Sequence, residues 1–172
     1  MFYKSPFKYD LLINEINNNP EKELLFNAIE QLDNGLFDGH ILLNQLIKKS
    51  NTDALLLSAL YSIKNENEND FFQRHFSTLE KLTDLNHPLA LYALGVYYDQ
   101  GEFVLADKNK AAHLFKLSSN LGVPQANFIY GVMLYYGTGG MNKDTKKALD
   151  LLNYAALMNI QEAKEFLDYV KV

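Results

Sequence analysis

A repeat with a period of about 36 residues in the second half of the chain limits the possible folds more than any other feature. Residues 87–122 and 123–159 align when one extra residue is allowed in the loop of the second unit. The matched positions carry small residues, an acidic residue and a lysine: Ala90 with Ala126, Gly95 with Gly131, Gly101 with Gly137, Asp107 with Asp144, Lys110 with Lys147, and Ala111 with Ala148. Such self-similarity is typical of repeat proteins, in which each unit packs mainly on its neighbours.

Each unit has the pattern of two helices joined by a turn. Apolar and small residues recur at spacings of three and four, on one face of each helix: Leu91, Leu94, Gly95 and Tyr98 on the first, and Ala111, Leu114, Phe115 and Ser118 on the second. Gly95 and Gly131 lie inside the first helices, where glycine costs up to about 1 kcal/mol relative to alanine. We therefore predict that the backbone of another helix passes close to both glycines.

The repeat continues weakly in both directions. Ala54 aligns with Ala90 upstream, and Ala163 aligns with Ala126 downstream. The sequence therefore predicts a single repeat domain over residues 1–172. Its predicted parts are N-terminal helices over 1–50, which are compatible with a degenerate repeat, a degenerate repeat over 51–86, repeats over 87–122 and 123–159, and a capping helix over 160–172.

The loop YYGTGGMNKD, residues 135–144, holds three glycines in four residues and raises the question of a phosphate site. It lacks both the Walker pattern and the Gly-x-Gly-x-x-Gly fingerprint, and no predicted strand precedes it. It aligns with residues 99–107, which keep only one of the glycines. We therefore predict a turn in which glycine adopts a positive φ after the first helix. Asp107 and Asp144 are then expected to cap the second helices.

At these positions the chain resembles the Sel-1-like repeat family, a relative of the tetratricopeptide repeat. The family pattern is A-x-x-x-L-G-x-x-Y-x-x-G-x-G-V-x-x-D-x-x-K-A-x-x-W-x-x-x-A-A-x-x-G. Residues of the first unit that match it are Ala90, Leu94, Gly95, Tyr98, Gly101, Val104, Asp107, Lys110, Ala111 and Gly122. Residues of the second are Ala126, Gly131, Gly137, Gly139, Asp144, Lys147, Ala148, Ala155 and Ala156. Leu114 and Leu151 stand where the family often has tryptophan, and Phe103 replaces a loop glycine.

The resemblance implies an all-α fold, an α/α superhelix or solenoid of antiparallel helix pairs. It also implies a non-catalytic scaffold whose concave groove binds another protein. By analogy with tetratricopeptide arrays, the first helix of each pair lines that groove. The partner-binding residues predicted on this basis are Tyr92, Val96, Asp99, Gln100, Phe128, Val132, Tyr135 and Tyr136. Packing in the core is the alternative role for these side chains.

The net charge of −5 lies in the first half of the chain. Residues 1–86 contain 8 Lys/Arg and 13 Asp/Glu, whereas residues 87–172 contain 8 of each. This balance disfavours nucleic-acid binding and favours a basic protein partner. Three alternating carboxylates, Glu66, Glu68 and Asp70, predict either a solvated loop or an acidic docking patch. They lack the glycine and glutamate that a calcium-binding EF-hand loop requires.

No constellation in the sequence predicts catalysis. The four histidines are scattered without H-x-x-x-H spacing: His40, His75, His87 and His113. We expect surface or capping roles for them. There is no cysteine and no G-x-S-x-G motif. We therefore predict no catalytic residue, no metal and no cofactor.

No apolar run reaches the roughly 18 residues of a membrane helix, and the start MFYKSPFKYD lacks the apolar core of a secretory signal. We expect a cytoplasmic protein without membrane insertion. The predicted function is a non-catalytic protein–protein interaction module, with a bacterial immunity protein that neutralises a basic toxin or effector as the specific version. The alternatives are a β-lactamase-like hydrolase of the Sel-1 type, disfavoured by the lack of cysteine, and an adaptor or regulator of an envelope complex.

Overall fold

The computed structural model describes residues 9–170, and that part of the chain forms ten α-helices and no β-strand. The helices are α1 (Tyr9–Asn17), α2 (Lys22–Asp33), α3 (Asp38–Lys48), α4 (Thr52–Leu60), α5 (Glu68–Asp84), α6 (Pro88–Gln100), α7 (Lys108–Asn120), α8 (Pro124–Tyr136), α9 (Thr145–Leu157) and α10 (Gln161–Val170). The predicted all-α fold of the solenoid type is confirmed. None of these ten helices has both the length and the apolar character that crossing a bilayer requires.

The helices can be assigned to the segments that the sequence predicts. Helices α4 and α5 lie within 51–86, α6 and α7 within 87–122, and α8 and α9 within 123–159. The N-terminal part contains α1 to α3, and the capping segment contains α10. Residues 1–8 and 171–172, at the outer ends of those two predicted segments, lie outside the described residues.

Contacts between Cα atoms divide the chain after Ala90 into two compact units, called unit 1 and unit 2. In unit 1, α2 packs on α3, α3 on α4, and α4 on α5. Its core consists of aliphatic side chains that are buried: Leu25, Ala28, Leu43, Leu46, Leu56, Leu57 and Leu79. In unit 2, α7 packs on α8, α8 on α9, and α9 on α10. Its core is formed by Ala111, Ala112, Phe115, Tyr130, Met133, Leu134 and Ala148.

The loops after α6 and α8 are closed by the same backbone hydrogen bonds at aligned positions. These bonds are Gly101 N to Tyr97 O (3.0 Å) with Gly137 N to Met133 O (2.8 Å), and Asp107 N to Tyr98 O (2.9 Å) with Asp144 N to Leu134 O (3.0 Å). Both Gly101 and Gly137 have φ of 71°, the left-handed conformation that glycine tolerates best. The interpretation of the glycine-rich loop as a turn is therefore confirmed.

The two aspartates act as the caps that the sequence predicts. The Asp107 carboxylate accepts hydrogen bonds from the backbone N–H groups of Asn109 (3.0 Å) and Lys110 (2.9 Å). The Asp144 carboxylate accepts one from Lys147 N at 3.0 Å. Each aspartate thus satisfies N–H groups that have no partner inside the helix and places a negative charge at its positive end.

The two helix glycines sit in close contacts, but with different neighbours. A Cβ at Gly131 would lie 3.0 Å from Leu152 Cγ and 3.2 Å from the Ala148 carbonyl oxygen, so the backbone of α9 passes close, as predicted. A Cβ at Gly95 would lie 2.9 Å from the Phe115 ring. At Gly95 the nearest neighbour is therefore a buried aromatic ring rather than the helix backbone that the sequence analysis predicts.

Candidate functional site

The eight residues predicted to bind a partner lie on the first helices of the two repeats, α6 and α8, and form what we call the first-helix face. None of them is fully buried: Tyr92, Val96, Asp99, Phe128, Val132 and Tyr135 are half-buried, and Gln100 and Tyr136 are exposed. Helix α8 begins at Pro124, whose fixed φ suits the first helical position, and it ends at the left-handed Gly137. These two signals determine which side chains the helix presents.

The first-helix face is backed by the core of unit 2. Tyr92, Val96 and Tyr135 pack against the core cluster of that unit. The rings of Tyr92 and Phe115 lie 6.0 Å apart in a tilted arrangement. Because the Phe115 side chain is almost completely buried, it holds the Tyr92 ring in place. Part of each side chain therefore contributes to the core while the rest remains accessible.

Three aromatic rings meet at the end of α8. The ring centroids of Tyr135 and Tyr136 lie 5.2 Å apart, and both rings meet Phe166 of α10 edge-on, at 5.4 and 6.0 Å. Edge-on pairs at such distances are a favoured aromatic geometry. Tyr136 nevertheless remains 54% exposed. Sequence reasoning missed Phe166, because the contact depends on how α10 packs and the repeat alignment gives only its position on that helix.

The charges at the first-helix face are few and mostly engaged. Lys108 Nζ lies 2.8 Å from the Asp99 carboxylate and donates to the Asp99 carbonyl oxygen at 2.6 Å. Lys143 Nζ lies 5.5 Å from the centre of the Tyr135 ring. Burial, with a smaller contribution from the Glu162 carboxylate, raises the pKa of Tyr92. The Tyr92 phenol therefore stays protonated at neutral pH and offers a hydrogen bond and contact area.

The acidic docking patch predicted at Glu66, Glu68 and Asp70 does not present three equivalent carboxylates. Glu68 and Asp70 are exposed in the first turn of α5. The Glu66 side chain is only 4% exposed, and both of its oxygens accept hydrogen bonds from Arg74, at 2.6 and 2.8 Å. These bonds, with a smaller contribution from the hydrogen bond that Ile63 N donates, hold the pKa of Glu66 below its usual value. Glu66 therefore serves the fold, and the patch that stays a prediction consists of Glu68 and Asp70.

Arg74, the only arginine in the chain, holds the segment after α4 onto α5. Besides Glu66, its guanidinium donates to the carbonyl oxygens of Ser58 (2.5 Å) and Tyr61 (2.8 Å). Arg74→Ala is expected to lower the free energy of unfolding by about 2 kcal/mol, since it removes the hydrogen bonds to a buried carboxylate and to two carbonyl groups. Urea denaturation followed by circular dichroism measures this loss. Arg74→Lys keeps the positive charge but not the forked geometry of the guanidinium. It should therefore retain only part of the stability that Arg74→Ala loses. Equal stability of Arg74→Ala and wild type would contradict the assignment.

Three groups that are far apart in the sequence meet in unit 1. His87 Nε2 lies 3.0 Å from Asp53 Oδ1, and Glu15 of α1 lies close enough to both for all three donor atoms to fall within 4.8 Å. Asp53 also accepts a short hydrogen bond from Asn19. His87 Nδ1 accepts a 3.4 Å hydrogen bond from Ala90 N, so His87 caps α6 as expected, but it is buried rather than on the surface.

The hydrogen bonds decide what this cluster can do chemically. Because Nδ1 of His87 accepts a hydrogen bond from Ala90 N, the ring proton is on Nε2. Nε2 therefore donates a hydrogen bond to the Asp53 carboxylate. Burial raises the pKa of Asp53, but the hydrogen bonds from His87 and Asn19 outweigh burial and bring the pKa below its ordinary value. Burial raises the pKa of Glu15, the nearby His87 partly opposes this increase, and Asp53 adds to it. A metal cation bound to Nε2 would move the ring proton to Nδ1. Two donors, Nδ1–H and the Ala90 N–H, would then face each other. These residues are therefore better suited to a structural hydrogen-bonded cluster than to a metal centre.

Comparison with known sequences identifies the repeats. Residues 88–123 and 124–160 each match the Sel1 repeat family. A stretch of 77 residues, 44% of this chain, is 35% identical to part of chitin synthase regulatory factor 3 of Schizosaccharomyces pombe. The match covers only 8% of the length of that protein.

Comparison with solved structures shows the same fold. A Sel1 repeat protein from Oxalobacter formigenes has a TM-score of 0.65 at 20% identity, over 73% of this chain and 94% of that one. The protective antigen c5321 of uropathogenic Escherichia coli, which displays an SLR fold, has a TM-score of 0.69 at 18% identity, over 95% of this chain and 36% of that one. Cysteine-rich protein B of Helicobacter pylori has a TM-score of 0.54 at 22% identity, over 87% and 98%.

These structural similarities show the fold, and the family match identifies the repeats. Sel1 repeats are protein-interaction modules, and their folds are generally non-catalytic scaffolds. The matched residues contain the glycines, capping aspartates and helix pairs described above. Residues 88–160 therefore match two Sel1 repeats, and the fold is that of a Sel1-like repeat solenoid.

Proposed function

We propose that the first-helix face of unit 2 binds a partner protein and that the protein acts as a non-catalytic adaptor. The observation that carries this proposal is Tyr136, which is 54% exposed although two other aromatic rings hold it edge-on. Tyrosine side chains with fixed orientation make good interface anchors, because they bury a large area and lose little conformational entropy on binding. Gln100 and Phe128 extend the accessible part of the same face.

The neighbouring residues suit contact with a polypeptide better than catalysis. The Tyr92 phenol is kept protonated, and Asp99 is engaged by Lys108, so neither is set up as a nucleophile or a free base. Partly buried tyrosine, valine and phenylalanine side chains resemble the apolar centre of an interface, in which a few aromatic residues supply most of the binding energy. Partner binding is therefore the role that this chemistry favours.

We propose that the protein acts as a regulator or adaptor. This role agrees with the name of chitin synthase regulatory factor 3, which is 35% identical to this chain over 77 residues. A second candidate, an immunity protein that neutralises a basic toxin or effector in the cytoplasm, is favoured by the charge distribution. All of the net charge of −5 is carried by residues 1–86. Such a charge speeds encounter with a basic partner and disfavours acidic ones.

Site-specific photo-crosslinking tests the proposal. The photoreactive residue p-benzoylphenylalanine replaces Tyr136 in one variant and Tyr154 in another. Tyr154 is the control, since it is 39% exposed but lies on the second helix α9 of the same repeat. In a lysate of the source organism, position 136 is expected to crosslink a protein that position 154 does not. Identical crosslinks from both positions, or none from position 136, would count against the first-helix face as the binding surface.

A further inference from the structure

A groove in unit 1 has a different character from the first-helix face. It lies between the turn that joins α2 to α3 and the segment that follows α4, and we call it the unit 1 groove. Its volume is about 280 Å³, and its lining includes Leu36, Phe37, His40, Tyr61, Ile63 and Lys64. This volume approaches that of cavities which accept one large side chain or a small ligand. The groove is therefore large enough to receive a side chain of another molecule.

The apolar walls of the groove face solvent. Phe37 is 62% exposed, and Leu36 and Ile63 are also exposed. Leu32 and Tyr61, in contrast, are buried and form its floor. Single exposed apolar residues are common on protein surfaces, but several around one cavity mark a site of interaction. The turn itself does not require these residues, since Gly35 with φ of 72° already supplies the left-handed position after α2.

The polar groups beside the groove favour a positively charged occupant. Tyr61 Oη donates to Asp33 Oδ1 at 2.8 Å, which places that exposed carboxylate next to the floor. Asp38, exposed at the start of α3, directly follows Phe37 and Leu36 in the chain. Of the residues that line the groove, only Lys64 carries a positive charge. The nearby Arg74 is engaged by Glu66 and is not a competing free cation.

His40 adds a neutral hydrogen-bond acceptor. Its Nε2 lies 3.1 Å from the Ser62 carbonyl oxygen, so Nε2 carries the proton and donates. Burial lowers the pKa of His40 and outweighs the hydrogen bond to Ser62, which raises it, so the ring is uncharged at neutral pH. Among the contacts described for residues 9–170, none uses its Nδ1 lone pair. His40 therefore does not repel a cation and leaves an acceptor for a donor group.

We propose that the unit 1 groove binds a basic segment of a partner protein, which inserts one bulky apolar side chain between Leu36, Phe37 and Ile63. Lysine or arginine residues on either side of that side chain lie against Asp33 and Asp38. The charge of the whole unit matches this chemistry, because residues 1–90 contain 8 Lys/Arg against 13 Asp/Glu. Burial of the inserted apolar side chain and attraction between opposite charges both contribute to binding. Salt weakens the second contribution. The groove is formed by residues of unit 1, whereas the first-helix face is formed by residues of α6 and α8.

The test uses the full chain and a synthetic probe, acetyl-GKKLWKKG-amide, in a ¹H–¹⁵N NMR titration. Saturable shifts confined to residues 32–40 and 61–64 are expected, with affinity that falls as salt is raised. Two matched probes isolate the two parts of the proposal: one replaces leucine and tryptophan with alanine, and the other replaces each lysine with glutamate. Both are expected to bind at least about tenfold more weakly. Equal binding of either matched probe would overturn the proposal.

Variants of the chain complete the test. Ile63→Glu and Phe37→Ala are expected to weaken binding of the basic probe by about tenfold or more. Leu105→Glu is the control, because Leu105 is an apolar residue of unit 2 that is 92% exposed, and it should bind as wild type does. Thermal melts confirm that each variant is folded. Probe binding that is absent, unaffected by both groove variants, or mapped to α6 and α8 would overturn the proposal, whereas partner crosslinking from position 136 does not depend on this result.

Discussion

Gly131→Leu is expected to lower the free energy of unfolding by about 3 kcal/mol or more, because the new side chain has no space between α8 and α9. Its first carbon alone would lie 3.0 Å from Leu152 Cγ and 3.2 Å from the Ala148 carbonyl oxygen. Leu152 and Ala148 are both completely buried, so neither can move without disturbing the core. Two-state urea denaturation followed by circular dichroism measures the loss.

Asn153→Leu is the matched control for this change, since it puts the same side chain at an exposed position of α9. It is expected to change stability by less than about 0.5 kcal/mol. Gly95→Leu should also destabilise, but through the Phe115 ring instead of a helix backbone. A Gly131→Leu protein as stable as the Asn153→Leu protein would show that close helix packing at the repeat glycine is not needed.

His87→Leu is expected to lower the free energy of unfolding by about 2 to 3 kcal/mol. It removes the hydrogen bond to the buried Asp53 carboxylate and the cap on Ala90 N, while leaving that carboxylate in place. The effect should depend on pH. Hydrogen bonds hold the pKa of folded Asp53 below 3.8, so they stabilise the protein above that pH and the stabilisation is lost as pH falls through the folded pKa. The difference between wild type and variant should therefore narrow in acid.

Glu15→Gln provides a control of opposite sign within the same cluster. Burial raises the pKa of Glu15 above 4.5, so its ionised form is disfavoured in the folded protein at neutral pH. Replacing it with a neutral amide should raise the melting temperature slightly at pH 7, and the gain should vanish at pH 4. A large loss of stability in Glu15→Gln, or a pH-independent effect in His87→Leu, would contradict the roles assigned to these residues.

The repeats of unit 2 could be predicted in some detail because their requirements are local. Glycine after the first helix and aspartate before the second follow from backbone geometry and capping, which depend on neighbouring residues. Phe103 shows how far alignment extends. It adopts φ of 67° where the second repeat has Gly139 at 62°, so this position keeps the left-handed conformation even without glycine. At Gly95 the nearest neighbour is a ring and not the predicted backbone, because close packing at a small residue can involve either.

The contacts that were not predicted join residues outside the repeat pattern. The pairing of Arg74 with Glu66 depends on the path of the segment after α4, which carries no periodic signal. Asp53 and His87 are 34 residues apart and meet only once α4 and the start of α6 are placed together. Phe166 reaches Tyr135 and Tyr136 through the packing of α10. Pairwise contacts of this kind are set by tertiary packing, which the spacing of residue types does not encode.

The affinity of the crosslinked partner for two tyrosine variants tests the central claim most directly. Tyr136→Ala removes the exposed ring of the first-helix face, and Tyr154→Ala removes an exposed ring from the second helix of the same repeat. Isothermal titration calorimetry is expected to show at least about tenfold weaker binding for Tyr136→Ala and less than about twofold change for Tyr154→Ala. Wild-type affinity in a folded Tyr136→Ala protein, or an equal loss in both variants, would contradict the claim.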